Sequence, residues 1–127
     1  MKNTADEIVQ IVDLHNLVTG ECPRSVMRAQ KLIHRACYIL VFNGKHELFV
    51  QKRTMSKDIY PGYWDVAAGG VVLAGESYEA SAERELQEEL GISGVGLKFL
   101  FDRYFADRNN RVWGRIFTCI HEGTYSL

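Results

Sequence analysis

Three carboxylates, Glu85, Glu88 and Glu89, stand close together in the run Arg84-Glu85-Leu86-Gln87-Glu88-Glu89-Leu90. On a helix the i, i+3 and i+4 spacings put all three on one edge, beside an apolar stripe of Ala82, Leu86 and Leu90. Like charges so placed cost roughly a few tenths of a kcal/mol per pair, and a hard cation would reverse that sign. Mg²⁺ and Mn²⁺ take oxygen ligands in octahedral arrangement, keep several waters and bridge carboxylates to substrate phosphates. Taken alone, three glutamates beside Arg84 are read more readily as a solvated acidic face, as charge runs usually are. The residues around them decide.

Gly70, five residues, Glu76, seven residues and then Arg84 through Ile92 resemble the Nudix box, G-x5-E-x7-R-E-U-x-E-E-x-G-U with U aliphatic. Every constrained position agrees. With each fixed residue type at about 7% frequency, the odds of coincidence in a chain this long are far below one in a million. The resemblance implies a metal-dependent hydrolase in which water attacks a phosphorus of a diphosphate substrate. Glu85, Glu88 and Glu89 would be metal ligands for Mg²⁺ or Mn²⁺, the Gly69 carbonyl another, and Arg84 would orient Glu85 through a charge-assisted hydrogen bond. Glu76, Gly70 and Gly91 take structural roles in the motif. The general base is left open.

A longer stretch, with His34-Arg35-Ala36 and Pro61-Gly62-Tyr63-Trp64, resembles the Nudix branch related to type I isopentenyl-diphosphate isomerase. That resemblance implies that Arg24, Arg53 and Lys57 hold the substrate's diphosphate, a task suited to their charge. The isomerase needs a reactive cysteine and a histidine ligand where this chain has Gly69 and Val71, so hydrolysis is favoured over isomerisation. His34 matches an isomerase ligand, but its partner position is Met27, so a structural role is expected. Trp64 either stacks on the substrate or packs the loop.

The elements that must position these groups follow from local signals. Glu7 to Val12 reads as a strand, Asp13 to Gly20 as turn residues, and Pro23 opens a helix to about Gln30. Arg35 to Phe42 and Glu47 to Arg53 read as paired strands about the Asn43-Gly44 turn. A loop containing Pro61 and Trp64 leads to a strand over Val66 to Val72, where Gly69 and Gly70 permit close approach to the backbone. Ser77 is the expected N-cap of the acidic helix, Glu79 complements its dipole, and Gly91 is placed to end it. Lys98 to Ala106 and Arg111 to Ile120 form a hairpin.

At 127 residues and 46% hydrophobic content the chain suits one globular domain. The expected fold is α/β (α+β), a Nudix fold whose mixed β-sheet carries the loop-helix-loop motif. Residues 1–34 form an extension and residues 35–127 the core. Compared with the family's α/β/α sandwich, a C-terminal strand and helix are missing, which predicts exposed apolar sheet surface shielded by a neighbour, a homodimer partner or the N-terminal segment. A net charge of −1 gives no overall pull toward nucleic acid or membrane, so the expected partner is a small-molecule diphosphate. Three scattered cysteines and no apolar run near the ~20 residues of a membrane span point to a reduced, cytoplasmic protein.

Overall fold

The computed structural model describes residues 4–52, 64–66 and 68–122. In chain order the elements are β1 (Ile8–Val12), β2 (Val18–Pro23), α1 (Arg24–Gln30), β3 (His34–Phe42), β4 (Leu48–Lys52), β5 (Trp64–Val66), β6 (Ala68–Val71), α2 (Tyr78–Leu90), β7 (Lys98–Ala106) and β8 (Arg111–Ile120). The fold class is the expected mixed one, with two α-helices among the described residues on a sheet that has both parallel and antiparallel pairs. No helix among the described residues is long and apolar enough to cross a membrane.

β3 is the centre because its residues are apolar on both faces, as a strand buried by neighbours requires. On one side it pairs in parallel with β8, from His34 opposite Val112 to Phe42 opposite Ile120. On the other side it meets three antiparallel partners in succession: β1 at His34, β6 from Ala36 to Ile39, and β4 at Val41 and Phe42. β7 pairs with the outer side of β8. This arrangement delivers β6, and the loop that follows it, to the middle of the sheet.

Cys37, Ile39 and Val41 on one face of β3 pack with Ala82, Leu86 and Leu90 of α2 and with Phe117 of β8. The four-residue stripe read from the sequence is therefore the buried face of α2, and each leucine contributes roughly 2 kcal/mol by burial. The opposite face is shared. At one end α1 covers it, with Met27 packed against Val9 and Val71. At the other, Tyr38, Leu40, Phe105 and Ile116 line an open cavity of about 640 Å³. Phe99, Phe101 and Phe105 of β7 and Ile120 of β8 are exposed.

Two local expectations change. Asp13 to Gly20 is not all turn: Val18–Pro23 pairs with β1 as an antiparallel strand, Ile8 opposite Pro23 and Ile11 opposite Gly20. Trp64 belongs by its backbone to a short strand, β5, with Trp64 opposite Lys52. In both cases long-range pairing overrides weak local propensity.

Candidate active site

The loop between β6 and α2 is built to receive Arg84. Val72 N–H donates to the Arg35 carbonyl at 2.9 Å, and Glu76 N–H donates to the Leu73 carbonyl at 3.1 Å. Gly75 has φ +83°, a left-handed conformation that glycine adopts without strain. The Glu76 carboxylate then closes the loop by accepting Leu73 N–H at 2.9 Å. Ser77 caps α2, its hydroxyl accepting Ala80 N–H at 3.0 Å, and Gly91 ends the helix with φ 70°.

Arg84 joins this loop to the acidic edge. It donates twice to Glu76, Nε to Oε2 at 2.7 Å and Nη2 to Oε1 at 3.0 Å. Nη1 donates to Glu85 Oε1 at 2.9 Å and to Glu88 Oε2 at 3.2 Å. The Glu76 hydrogen bond, then the charges of Glu85, Glu76 and Glu88, outweigh partial burial and hold the guanidinium still more firmly in its charged form. Charge-assisted bonds of this kind fix a carboxylate's rotamer.

Gly70 of the box and Gly69 just before it both have steric reasons. A Cβ on Gly70 would stand 2.5 Å from Glu85 Oε1, so only glycine leaves room for that carboxylate against β6. A Cβ on Gly69 would stand 2.6 Å from the Cys37 carbonyl, which is backbone and cannot yield. Gly69 lies opposite Tyr38 in the ladder.

The structure brings Glu76, Arg84, Glu85 and Glu88 together, with Glu89 part-buried on the same helix edge. Among the described residues no three His, Cys, Asp or Glu side chains form a group that could by itself hold a metal ion. A Mg²⁺ site does not require one, since that ion keeps waters and is commonly held by one or two carboxylates together with substrate phosphates. The all-oxygen donor set of Glu85, Glu88 and Glu89 fits such an ion.

Arg24 opens α1 and is ion-paired with Glu7 at 3.4 Å. Arg53 and Lys57 lie outside the described residues, as does the side chain of Trp64. His34 is buried, with its Nδ1 3.1 Å from the Leu32 carbonyl, a packing arrangement in keeping with the structural role expected of it. Cys37 is also buried, which pushes its thiol up to about 11 and keeps it neutral.

Two residues join the site that the sequence did not single out for it. Gln10 Nε2 donates to the Glu76 carbonyl at 3.1 Å, and Arg35 Nη1 donates to Gln10 Oε1 at 3.3 Å. The available signal was a polar residue set within the apolar strand EIVQIV and an arginine opening the apolar run RACYILVF.

Comparison with known proteins agrees with this geometry. The NUDIX domain family matches residues 32–126. An uncharacterized Nudix hydrolase of Yersinia pestis is 49% identical over 121 residues, covering 95% of this chain and 66% of its own length, so the chain spans about two thirds of that relative. Among solved structures, DR0079 of Deinococcus radiodurans has a TM-score of 0.77 at 24% identity, covering 94% of this chain and 75% of its own, which shows the fold. The MutT protein of Methanosarcina mazei has a TM-score of 0.67 at 26% identity, covering 75% of this chain and 69% of its own. The box, the fold around it and these relatives agree: the chain belongs to the Nudix hydrolase family.

Proposed function

We propose that the chain is a metal-dependent hydrolase that cleaves the diphosphate linkage of a nucleoside-diphosphate-linked or related small molecule by attack of water on phosphorus. The observation that carries this reading is the Arg84 junction, which ties the box loop to Glu85 and Glu88 with four hydrogen bonds to three carboxylates. A bound Mg²⁺ or Mn²⁺ supplies charge neutralisation for the phosphate oxygens and acidifies water. Glu85, Glu88 and Glu89, with the Gly69 carbonyl, are the groups of this chain that hold it.

The chain's own contribution is position. Arg84 locks the Glu85 carboxylate beside Gly70, so its ligand geometry is set before substrate arrives and little reorganisation remains for the reaction. Arg24, Arg53, Lys57 and Trp64 are assigned to the substrate. Residues 1–127 act in this reading as one cytoplasmic domain, residues 1–34 being an extension to the core at residues 35–127. A homodimer would shield the exposed face of β7, and no nucleic-acid partner is invoked.

The test is phosphate release from a library of nucleotide and non-nucleotide diphosphates with Mg²⁺ or Mn²⁺. Turnover of at least one compound is expected, with Glu88→Gln suppressing it by about a hundredfold. Silence across the library, with metal bound, would overturn the reading in favour of a ligand-binding module. Isomerisation of a prenyl diphosphate is disfavoured because Gly69 and Val71 offer neither thiol nor imidazole, and Cys37 is buried and neutral.

A further inference from the structure

The Nudix box is held from outside as well as from within. β1 lies along its loop: Ala74 N–H donates to the Ile8 carbonyl at 2.9 Å, Gln10 N–H to the Val72 carbonyl at 3.4 Å, and Val9 bridges to Leu73. From this strand one side chain reaches further. Gln10 Nε2 donates to the backbone carbonyl of Glu76, the residue whose carboxylate holds Arg84.

We propose that Gln10 is a positioning residue for the active site, setting the loop height from which Glu76 holds Arg84 and Arg84 holds Glu85. The inference rests on the hydrolase reading only for what Glu85 does, not for how it is held.

Both ends of the Gln10 amide are determined by chemistry. Its oxygen faces Arg35, which can only donate, and its nitrogen faces a carbonyl, which can only accept. The amide therefore has one orientation. Arg35 is fixed in turn by Asn16, with Nε to Oδ1 at 2.9 Å and Nη2 to the carbonyl at 2.7 Å, and by stacking 5.0 Å from the Tyr78 ring centroid. A glutamate at position 10 would keep the Arg35 contact but set a carboxylate oxygen against the Glu76 carbonyl. A leucine would remove both contacts while filling similar space. A residue needed only to hold β1 in the sheet would not require an amide, since Val9 and Ile11 supply apolar packing on either side.

The experiment compares the full chain with Gln10→Glu, Gln10→Leu and Ile11→Ala. It measures solvent exchange of the Arg84 Nε–H by NMR without metal, Mn²⁺ affinity by calorimetry, and the melting temperature. Both Gln10 variants are expected to speed Arg84 Nε–H exchange by about fivefold or more and to weaken Mn²⁺ binding by about three- to tenfold, below the loss typical of a group touching a ligand directly. Ile11→Ala is expected to lower the melting temperature while leaving exchange and affinity within about twofold, because it loosens packing without touching the relay. Unchanged Arg84 exchange in Gln10→Glu would overturn the proposal, as would exchange that simply follows the melting temperature across all three variants. If the parent chain binds no Mn²⁺, the hydrolase reading fails, and the exchange rates still decide the role of Gln10.

Discussion

Two arginines grip carboxylates against α2, Arg84 inside the Nudix box and Arg115 outside it. Arg84 meets Glu76, Glu85 and Glu88, with Glu89 beside them on the helix. Arg115 meets Asp102 through two bonds, at 2.7 and 2.9 Å, and Glu79 at 3.1 Å. The two guanidiniums are almost equally exposed, 23% and 25%. What differs is the surplus. Three carboxylates meet one guanidinium in the first cluster, and two in the second. Arg115 also spends its face on rings, 4.3 Å from Tyr78 and 5.1 Å from Phe99, which marks it as part of the packing. Excess negative charge held in fixed rotamers is costly unless a cation is meant to join it.

The largest expected effect separates the clusters by metal dependence. Chelation should take diphosphate turnover to background, and Mg²⁺ or Mn²⁺ should restore it; turnover that survives exhaustive chelation would erase the distinction. Next, Glu85→Gln should lower kcat by about a hundredfold, equal to about 2.7 kcal/mol in the barrier, whereas Glu79→Gln should stay within about twofold. Equal losses in steady-state assays would mean that the charge surplus is not what matters.

Stability gives a smaller contrast. Arg84→Ala should cost about 2 kcal/mol, between the values for buried and exposed pairs, and Arg115→Ala about 1 kcal/mol, both read from urea unfolding. Arg115→Ala should also leave Mn²⁺ affinity unchanged. The smallest effect concerns Cys37, whose thiol is raised by burial from 9.0 to about 11. The folded state holds this proton to higher pH than the unfolded chain does. The thiol therefore has no effect on stability below about pH 9 and lowers it as pH rises toward 11. Unfolding at pH 8 and pH 10 should show the parent losing more stability between the two than Cys37→Ala.

What could be read from sequence alone follows the range of each interaction. α2 was readable at both ends because its cap at Ser77, its stop at Gly91 and its stripe of Ala82, Leu86 and Leu90 are all local signals. β7 and β8 were readable to the residue, since each is a long β-prone run beside a turn. β2 was not: VTGECP has no clear alternation and becomes a strand only by pairing with β1. In the site, the Glu76–Arg84–Glu85 relay spans few residues and falls inside one motif. Gln10 reaches Glu76 from 66 positions away, a distance over which a single sequence carries no pairing signal. The substrate-facing assignments of Arg53 and Lys57 rest on resemblance, and those residues lie outside the described region.

The parallel ladder between β3 and β8 bears on how the molecule assembles. It joins His34 to Val112 and runs to Phe42 opposite Ile120, so the central strand gains this neighbour only when the chain through Ile120 is available. Closure across such long separations is slow, because loop entropy is lost before the contacts form. During synthesis β3 must wait, apolar on both faces, until β8 arrives. Folding yield should therefore depend more on substitutions in β8 than on changes of equal equilibrium cost in the Nudix helix.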